Sequence, residues 1–259
     1  MGHYLGVRRY VSWFAGAETN VAFSCVDVPA LASCDAFDSR RLAYEAVGAK
    51  DDLKITSRES DRLTRSGLLQ AVLVFCCELE DRLGVPLTSL VRIYIHAATG
   101  LEQAIVCHSC ARKAVCYTCT ALDATDESLD HRFIEFAPLL VVASADALSG
   151  PTQEIASARS ARLFGSVPCF AIARGDAQAW ASSSPRYVPP VAVGDAYALT
   201  VVFTSGSTGK PKGLVHGHGG YASCVARSMS YVFDARAGTD VFLTLATFAW
   251  ITGQSYMLY

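Results

Sequence analysis

The stretch Thr204-Ser205-Gly206-Ser207-Thr208-Gly209-Lys210-Pro211-Lys212-Gly213 concentrates the groups that a polyphosphate needs. Its four hydroxyls can donate hydrogen bonds, its three glycines let the backbone turn N–H groups inward, and its two lysines supply positive charge. The spacing is not that of the G-x-x-x-x-G-K-[ST] loop. Thr204 stands where the first glycine would fall, and Pro211 replaces the hydroxyl residue that would hold magnesium. Pro211 also lacks the N–H that a phosphate at a helix N-terminus would use, so the loop is expected to fold over phosphates as a flap with no helix start beneath them. Composition alone leaves a plain Ser/Thr/Gly connector equally open.

Two further constellations have metal-ligand character. Cys107-x-x-Cys110 and Cys116-x-x-Cys119 pair up, yet only five residues separate the pairs, against about 15–20 in four-thiolate zinc modules. Cys107 and Cys110 would share a helix face, while two strand residues three apart would point to opposite faces, so the four thiols are expected to fill cores. His216 and His218 have no carboxylate or thiol cluster beside them and read as loop residues. No metal site is expected.

These groups need elements to position them. Leu69, Val72, Cys76, Leu79 and Leu83 recur at helical steps, with Gly84 as a stop, and Leu101, Ala104, Ile105, His108 and Ala111 repeat the pattern. Between them Val91 to Ile95 reads as a strand, and a second apolar run begins at Ala114. Thr125 or Asp126 can cap a helix holding Leu129 and Phe133, which Pro138 would break before the wholly apolar run Leu139 to Ala143. A helix over 153–163, a strand from Val167 to Ile172, a turn-rich connection from Ser182 to Pro190 and a strand over Leu199 to Phe203 follow. Repeated strand–helix units with strands apolar at every position predict an α/β fold, a mostly parallel sheet with helices on both faces.

The 259 residues are 51% hydrophobic and 18% charged, which sets aside a disordered tail, and a net charge of -2 offers no basic footprint for nucleic acid. Ten cysteines fall short of a disulfide scaffold and suggest a reducing, cytoplasmic setting. Gly6 stands where a myristoylation signal wants Ser or Thr. Val241 to Tyr259 carries no charge, but its polar residues split the run, so a buried strand, a polar loop and the start of a helix are expected there in place of a membrane anchor. With no cap, Gly or Pro after Tyr256-Met257-Leu258-Tyr259, the chain reads as cut short.

The ordered sequence Thr204 to Gly213 resembles the phosphate-loop signature of the adenylate-forming superfamily, which includes acyl-CoA synthetases, peptide-synthetase adenylation domains and luciferases. Leu214 to Tyr221, then Asp240-Val241-Phe242 leading to Trp250-Ile251-Thr252-Gly253-Gln254-Ser255-Tyr256, are similar to its acetyl-CoA synthetase branch. So are Trp13 to Gly16 with Asn20, Cys25 and Asp27 near the N-terminus. Ala111 to Val115 and Val142 to Asp146 fall where the family has a helix end and a strand end.

The resemblance implies an incomplete N-terminal portion of that fold: residues 1–55 as an N-terminal segment and 56–259 as part of the large AMP-binding domain, with the small C-terminal lid domain absent. It implies that ATP, with Mg2+, and a small carboxylate form an acyl-adenylate, and that coenzyme A then displaces AMP. Thr204, Ser205, Gly206, Ser207, Thr208, Gly209, Lys210, Lys212 and Gly213 would hold the outer phosphates, with Lys210 and Thr204 as catalytic groups. Trp250, Ile251 and Thr252 would wall the acyl pocket, Thr252 also lying near the coenzyme A thiol; core filling by Trp250 and Ile251 is the plain alternative. Several positions depart from the branch. Thr247, Ala249 and Gln254 replace its usual Asp, Gly and His, Lys113 and Cys116 replace Gly and His, and Ala147-Leu148-Ser149-Gly150 replaces the Arg-Gly-Gly-Lys stretch that meets coenzyme A phosphates. A fragment of an AMP-forming short-chain acyl-CoA synthetase is therefore expected, with a non-catalytic nucleotide-binding or interaction module as the alternative.

Overall fold

A computed structural model describes residues 14, 16–31, 42–45, 48–49, 55–56, 62–83, 91–148, 162, 164–205, 210–236 and 239–259. Among the described residues twelve strands run in chain order: β1 (Glu18–Thr19), β2 (Leu42–Glu45), β3 (Gly48–Ala49), β4 (Ile55–Thr56), β5 (Arg62–Thr64), β6 (Arg92–His96), β7 (Cys116–Thr120), β8 (Leu140–Ser144), β9 (Cys169–Ile172), β10 (Val193–Gly194), β11 (Ala198–Thr204) and β12 (Lys212–Gly217). The helices are α1 (Val28–Leu31), α2 (Arg65–Leu83), α3 (Leu101–Arg112), α4 (Asp126–Phe136), α5 (Ala145–Leu148), α6 (Asp176–Ala181), α7 (His218–Arg227) and α8 (Ile251–Gly253).

One six-stranded sheet, in the order β12-β11-β7-β6-β8-β9, organises the molecule. β11, β7, β6, β8 and β9 run parallel, and β12 closes one edge antiparallel to β11. Every residue of β7 and β8 is buried, as continuous apolar strands covered on both faces should be. Ile93, Ile95, Tyr117, Cys119, Leu140 and Val142 join the residues of α2 and α3 in one core. Tyr94, Cys116, Val141, Ala143, Val201 and Phe203 meet Leu129 and Phe136 of α4 in a second. The sheet is thus mostly parallel with helices on both faces. Chain order explains the sides: β6 to β7 and β7 to β8 step in opposite directions across the sheet, and right-handed crossovers then put α3 and α4 on opposite faces.

The thiols divide as strand alternation requires. Cys107, Cys110 and Cys119 lie in the first core and Cys116 in the second. Burial pushes the Cys76 and Cys116 thiols up to about 12 and those of Cys107 and Cys110 well above their ordinary range, so all four stay protonated as packing groups.

Glu18–Leu31 is bound into the main body. β1 pairs with β10, and Val21, Ala22, Val26 and Ala30 enter the first core. The Asn20 side-chain amide donates to the carbonyls of Ala111 (2.9 Å), Arg112 (3.1 Å) and Val191 (2.8 Å), while its oxygen accepts from Ala22 and Phe23. Arg112 and Asp27 form a fully buried two-pronged ion pair, Arg112 Nε donates to the Val188 carbonyl at 2.7 Å, and the Tyr187 hydroxyl donates to Asp27 at 3.2 Å.

Three local expectations need correction. Val241 to Thr247 forms no buried strand: it has no regular structure, and Val241 and Leu245 are 94% and 88% exposed. Its composition suits a strand, but among the described residues no strand pairs with it. His216 and His218 are not loop residues, since the first lies in β12 and the second begins α7. α4 does end ahead of Pro138, with Ala137, left-handed at φ 48°, as its closing residue. The strand expected from Val167 starts at Cys169, because Pro168 brings no N–H to the ladder and Val167 closes a turn onto Phe164. The Gly84 stop lies outside the described residues, as does the helix over 153–163 apart from Arg162.

Candidate functional site

β11 ends at Thr204, on the side of the sheet where its parallel neighbours also end. In open α/β sheets ligands bind outside these carboxyl ends. Three adjacent strands finish there on polar residues. His96 Nδ1 and Thr120 Oγ1 lie 3.0 Å apart, and Ser144 Oγ accepts from the Ala98 amide at 2.8 Å. The Ser/Thr/Gly/Lys stretch begins at that end of β11 and finishes in β12, where Lys212 pairs with Thr204. Thr204 and Ser205 are exposed, Lys210 and Lys212 are exposed, and Gly206 to Gly209 lie outside the described residues.

The exit of this turn is closely determined. Lys212 stands opposite Thr204 and Gly213 opposite Phe203. A Cβ on Gly213 would meet Val201 Cγ1 at 2.8 Å, so any side chain there must push Val201 aside. His131 on α4 reaches across with Nε2 to the Pro211 carbonyl, at 2.9 Å. Next to it Arg132 holds its guanidinium 6.0 Å from the Phe203 ring centroid, with a buried Nε that meets no hydrogen-bond partner among the described residues. Spacing in the sequence gave no sign of either α4 residue, because the contact spans the fold.

The second predicted cluster lies around α8. Trp250 precedes α8, which runs on into a π-type turn over Gln254–Leu258. Gly253 lies so near the Thr247 carbonyl that a Cβ would be 2.1 Å from its oxygen. Gln254 is buried, donates to the Phe248 carbonyl at 2.8 Å and accepts from the Tyr117 hydroxyl at 3.3 Å, while Tyr117 and Tyr259 share a 2.9 Å hydroxyl contact. The Tyr221 hydroxyl and Ser255 Oγ are 2.8 Å apart. Ile251 is half-buried against the first core. Trp250 is 68% exposed, which overturns core filling as its role, and Thr252 is exposed beside it. Among the described residues no hydrogen bond joins this segment to Lys210 or Lys212.

Burial lowers the pKa of both nearby histidines, that of His218 to about 4, so the start of α7 carries no positive charge near neutral pH. Among the described residues no group of three or more His, Cys, Asp or Glu side chains is placed to hold a metal ion. No helix of the described residues is long and apolar enough to cross a membrane.

The sequence model of the AMP-binding enzyme family matches residues 43–259, which takes in the whole sheet and both clusters. The chain belongs to that family. It is 28% identical to an acetyl-coenzyme A synthetase of Paraburkholderia phymatum over 96% of this chain and 38% of that one. It is 29% identical to one of Mycobacterium tuberculosis over 96% and 39%. The chain thus spans about two fifths of the length of these curated relatives. Among solved structures, VinN with 3-methylaspartate superposes with a TM-score of 0.69 at 18% identity, covering 93% of this chain and 59% of that one. A Brucella canis acyl-CoA synthetase gives 0.68 at 17%, covering 93% and 41%. These two proteins share the fold.

Proposed function

We propose that this AMP-binding chain supplies the phosphate-gripping and acid-side part of an AMP-forming short-chain acyl-CoA synthetase, with acetate as the acid. The observation that carries the proposal is the hydroxyl- and lysine-rich hairpin turn at the carboxyl edge of a parallel sheet, in a chain similar to proteins that bear the acetyl-coenzyme A synthetase name. In this reading the residues from Thr204 to Gly213 hold the β- and γ-phosphates of ATP. Lys210 offsets the charge that gathers on pyrophosphate as the carboxylate attacks the α-phosphorus, and Thr204 donates its hydroxyl to a phosphate oxygen. Mg2+ would arrive bound to ATP, since the turn offers hydroxyls and ammonium groups and no carboxylate. Trp250, Ile251 and Thr252 would wall the acyl pocket, and exposure of Trp250 and Thr252 leaves both free to meet a ligand. Coenzyme A would then take the acyl group from the adenylate through its thiol, releasing AMP.

The test is ATP binding and acetate-dependent pyrophosphate release by the parent chain and by Lys210→Ala. Loss of one charge-assisted contact is expected to weaken ATP binding about ten- to a hundredfold. Equal ATP affinity in the two proteins would overturn the assignment of Lys210. Lysine-dependent ATP binding without pyrophosphate release would identify a nucleotide-binding module in place of an enzyme.

A further inference from the structure

We propose that His131 is a positioning residue that fixes the exit of the phosphate turn through the Pro211 carbonyl; this rests on the reading of Lys210 as a phosphate ligand. The 2.9 Å contact has only one chemical sense. A carbonyl oxygen can only accept, so Nε2 of His131 carries the proton and donates it.

The support behind His131 is rigid. The Thr125 side chain caps α4 by accepting from the Ser128 amide at 3.3 Å, and Leu129 and Phe136 are buried in the second core. The Tyr94 hydroxyl on β6 donates to the Leu129 carbonyl at 3.4 Å. A residue on this helix therefore holds its partner against the sheet itself.

What it holds matters for Lys210. The pyrrolidine ring fixes φ of Pro211, and capture of its carbonyl fixes the peptide plane that follows, so both backbone dihedrals of Pro211 are set before any ligand arrives. Lys212, opposite Thr204, and Gly213, pressed on Val201, continue the restraint into β12. Lys210 thus leaves from a backbone already pointed, and ATP need not spend binding energy on ordering it. No other side chain is recorded on the Pro211 carbonyl among the described residues.

The test uses the 259-residue chain with His131→Leu, which keeps bulk and removes the donor, and His131→Gln, whose amide can replace Nε2–H. Amide hydrogen exchange is followed in the peptide 204–216 and, as a fold control, in 91–120. ATP affinity is measured in parallel. His131→Leu is expected to speed exchange in 204–216 alone and to weaken ATP binding about five- to thirtyfold, the effect of freeing one residue's backbone. His131→Gln is expected to restore both. Unchanged exchange in 204–216 for His131→Leu would overturn the proposal, as would failure of His131→Gln to restore slow exchange while 91–120 stays protected. If His131→Leu loses protection in both peptides, the comparison of His131→Gln with the parent decides: parental exchange supports the tether and faster exchange in 204–216 overturns it. A parent chain that binds no ATP would remove the phosphate reading, while the exchange result would still decide what His131 holds.

Discussion

Asn20, Asp27, Arg112 and Tyr187 show what single residues do here. An arginine with its side chain wholly buried is tolerable because Asp27 meets it with two oxygens and Val188 satisfies Nε. Breaking the pair from one side leaves a buried carboxylate without its partner. Arg112→Met is expected to destabilise the fold by about 3–5 kcal/mol. Arg112→Met with Asp27→Leu should recover most of that loss, and urea unfolding of the two variants against the parent checks both. The resemblance singled out Asn20, Asp27 and the stretch holding Arg112, but nothing in the sequence paired them. Asn20 stands 91 to 171 positions from the carbonyls it binds and Asp27 stands 85 from Arg112, and periodicity carries no information over such separations. The same limit hid His131, 80 positions from Pro211. Gln254 had been readable only as a departure from a family pattern; its two buried hydrogen bonds give the amide a structural reason to be there.

At the level of elements, sequence was a good guide wherever an element is defined by its own residues. β7 and β8 are apolar or small along their length, α3 repeats at helical steps, and Thr125 caps α4 as its type and place suggested. Elements defined by a partner were harder. β12 carries two glycines in six residues and has a strand's geometry only because β11 lies beside it, whereas Val241 to Thr247 has a strand's composition and no ladder. The hairpin makes a direct prediction. Gly213→Ala should cost about 1–3 kcal/mol, because the new methyl must displace Val201. Since the obstacle is a side chain, adding Val201→Ala should relieve the clash, so that the double variant costs less than the two single changes summed. Thermal unfolding of the single and double variants tests this.

At the scale of the molecule, burial is uneven. Beyond α7, Phe233, Phe242 and Tyr256 pack edge to face with centroids 5.0 Å apart from Phe233 to each, joining two stretches that carry Tyr231, Val232, Val241 and Leu245 largely in water. An apolar strip of this kind promotes association. The chain is expected to self-associate with rising concentration, and Leu243→Lys with Leu245→Lys to suppress it; sedimentation velocity reads the difference. α3 stands at the other extreme, with eleven buried residues from Leu101 to Arg112 and no wet side. α2 dries one flank, and the last residues dry another, Tyr259 setting its ring 5.5 Å from that of His108. During synthesis, then, the central helix stays partly hydrated until some 150 further residues have left the ribosome. A nascent chain halted before Tyr259 should be a far better client for chaperones than one released beyond it.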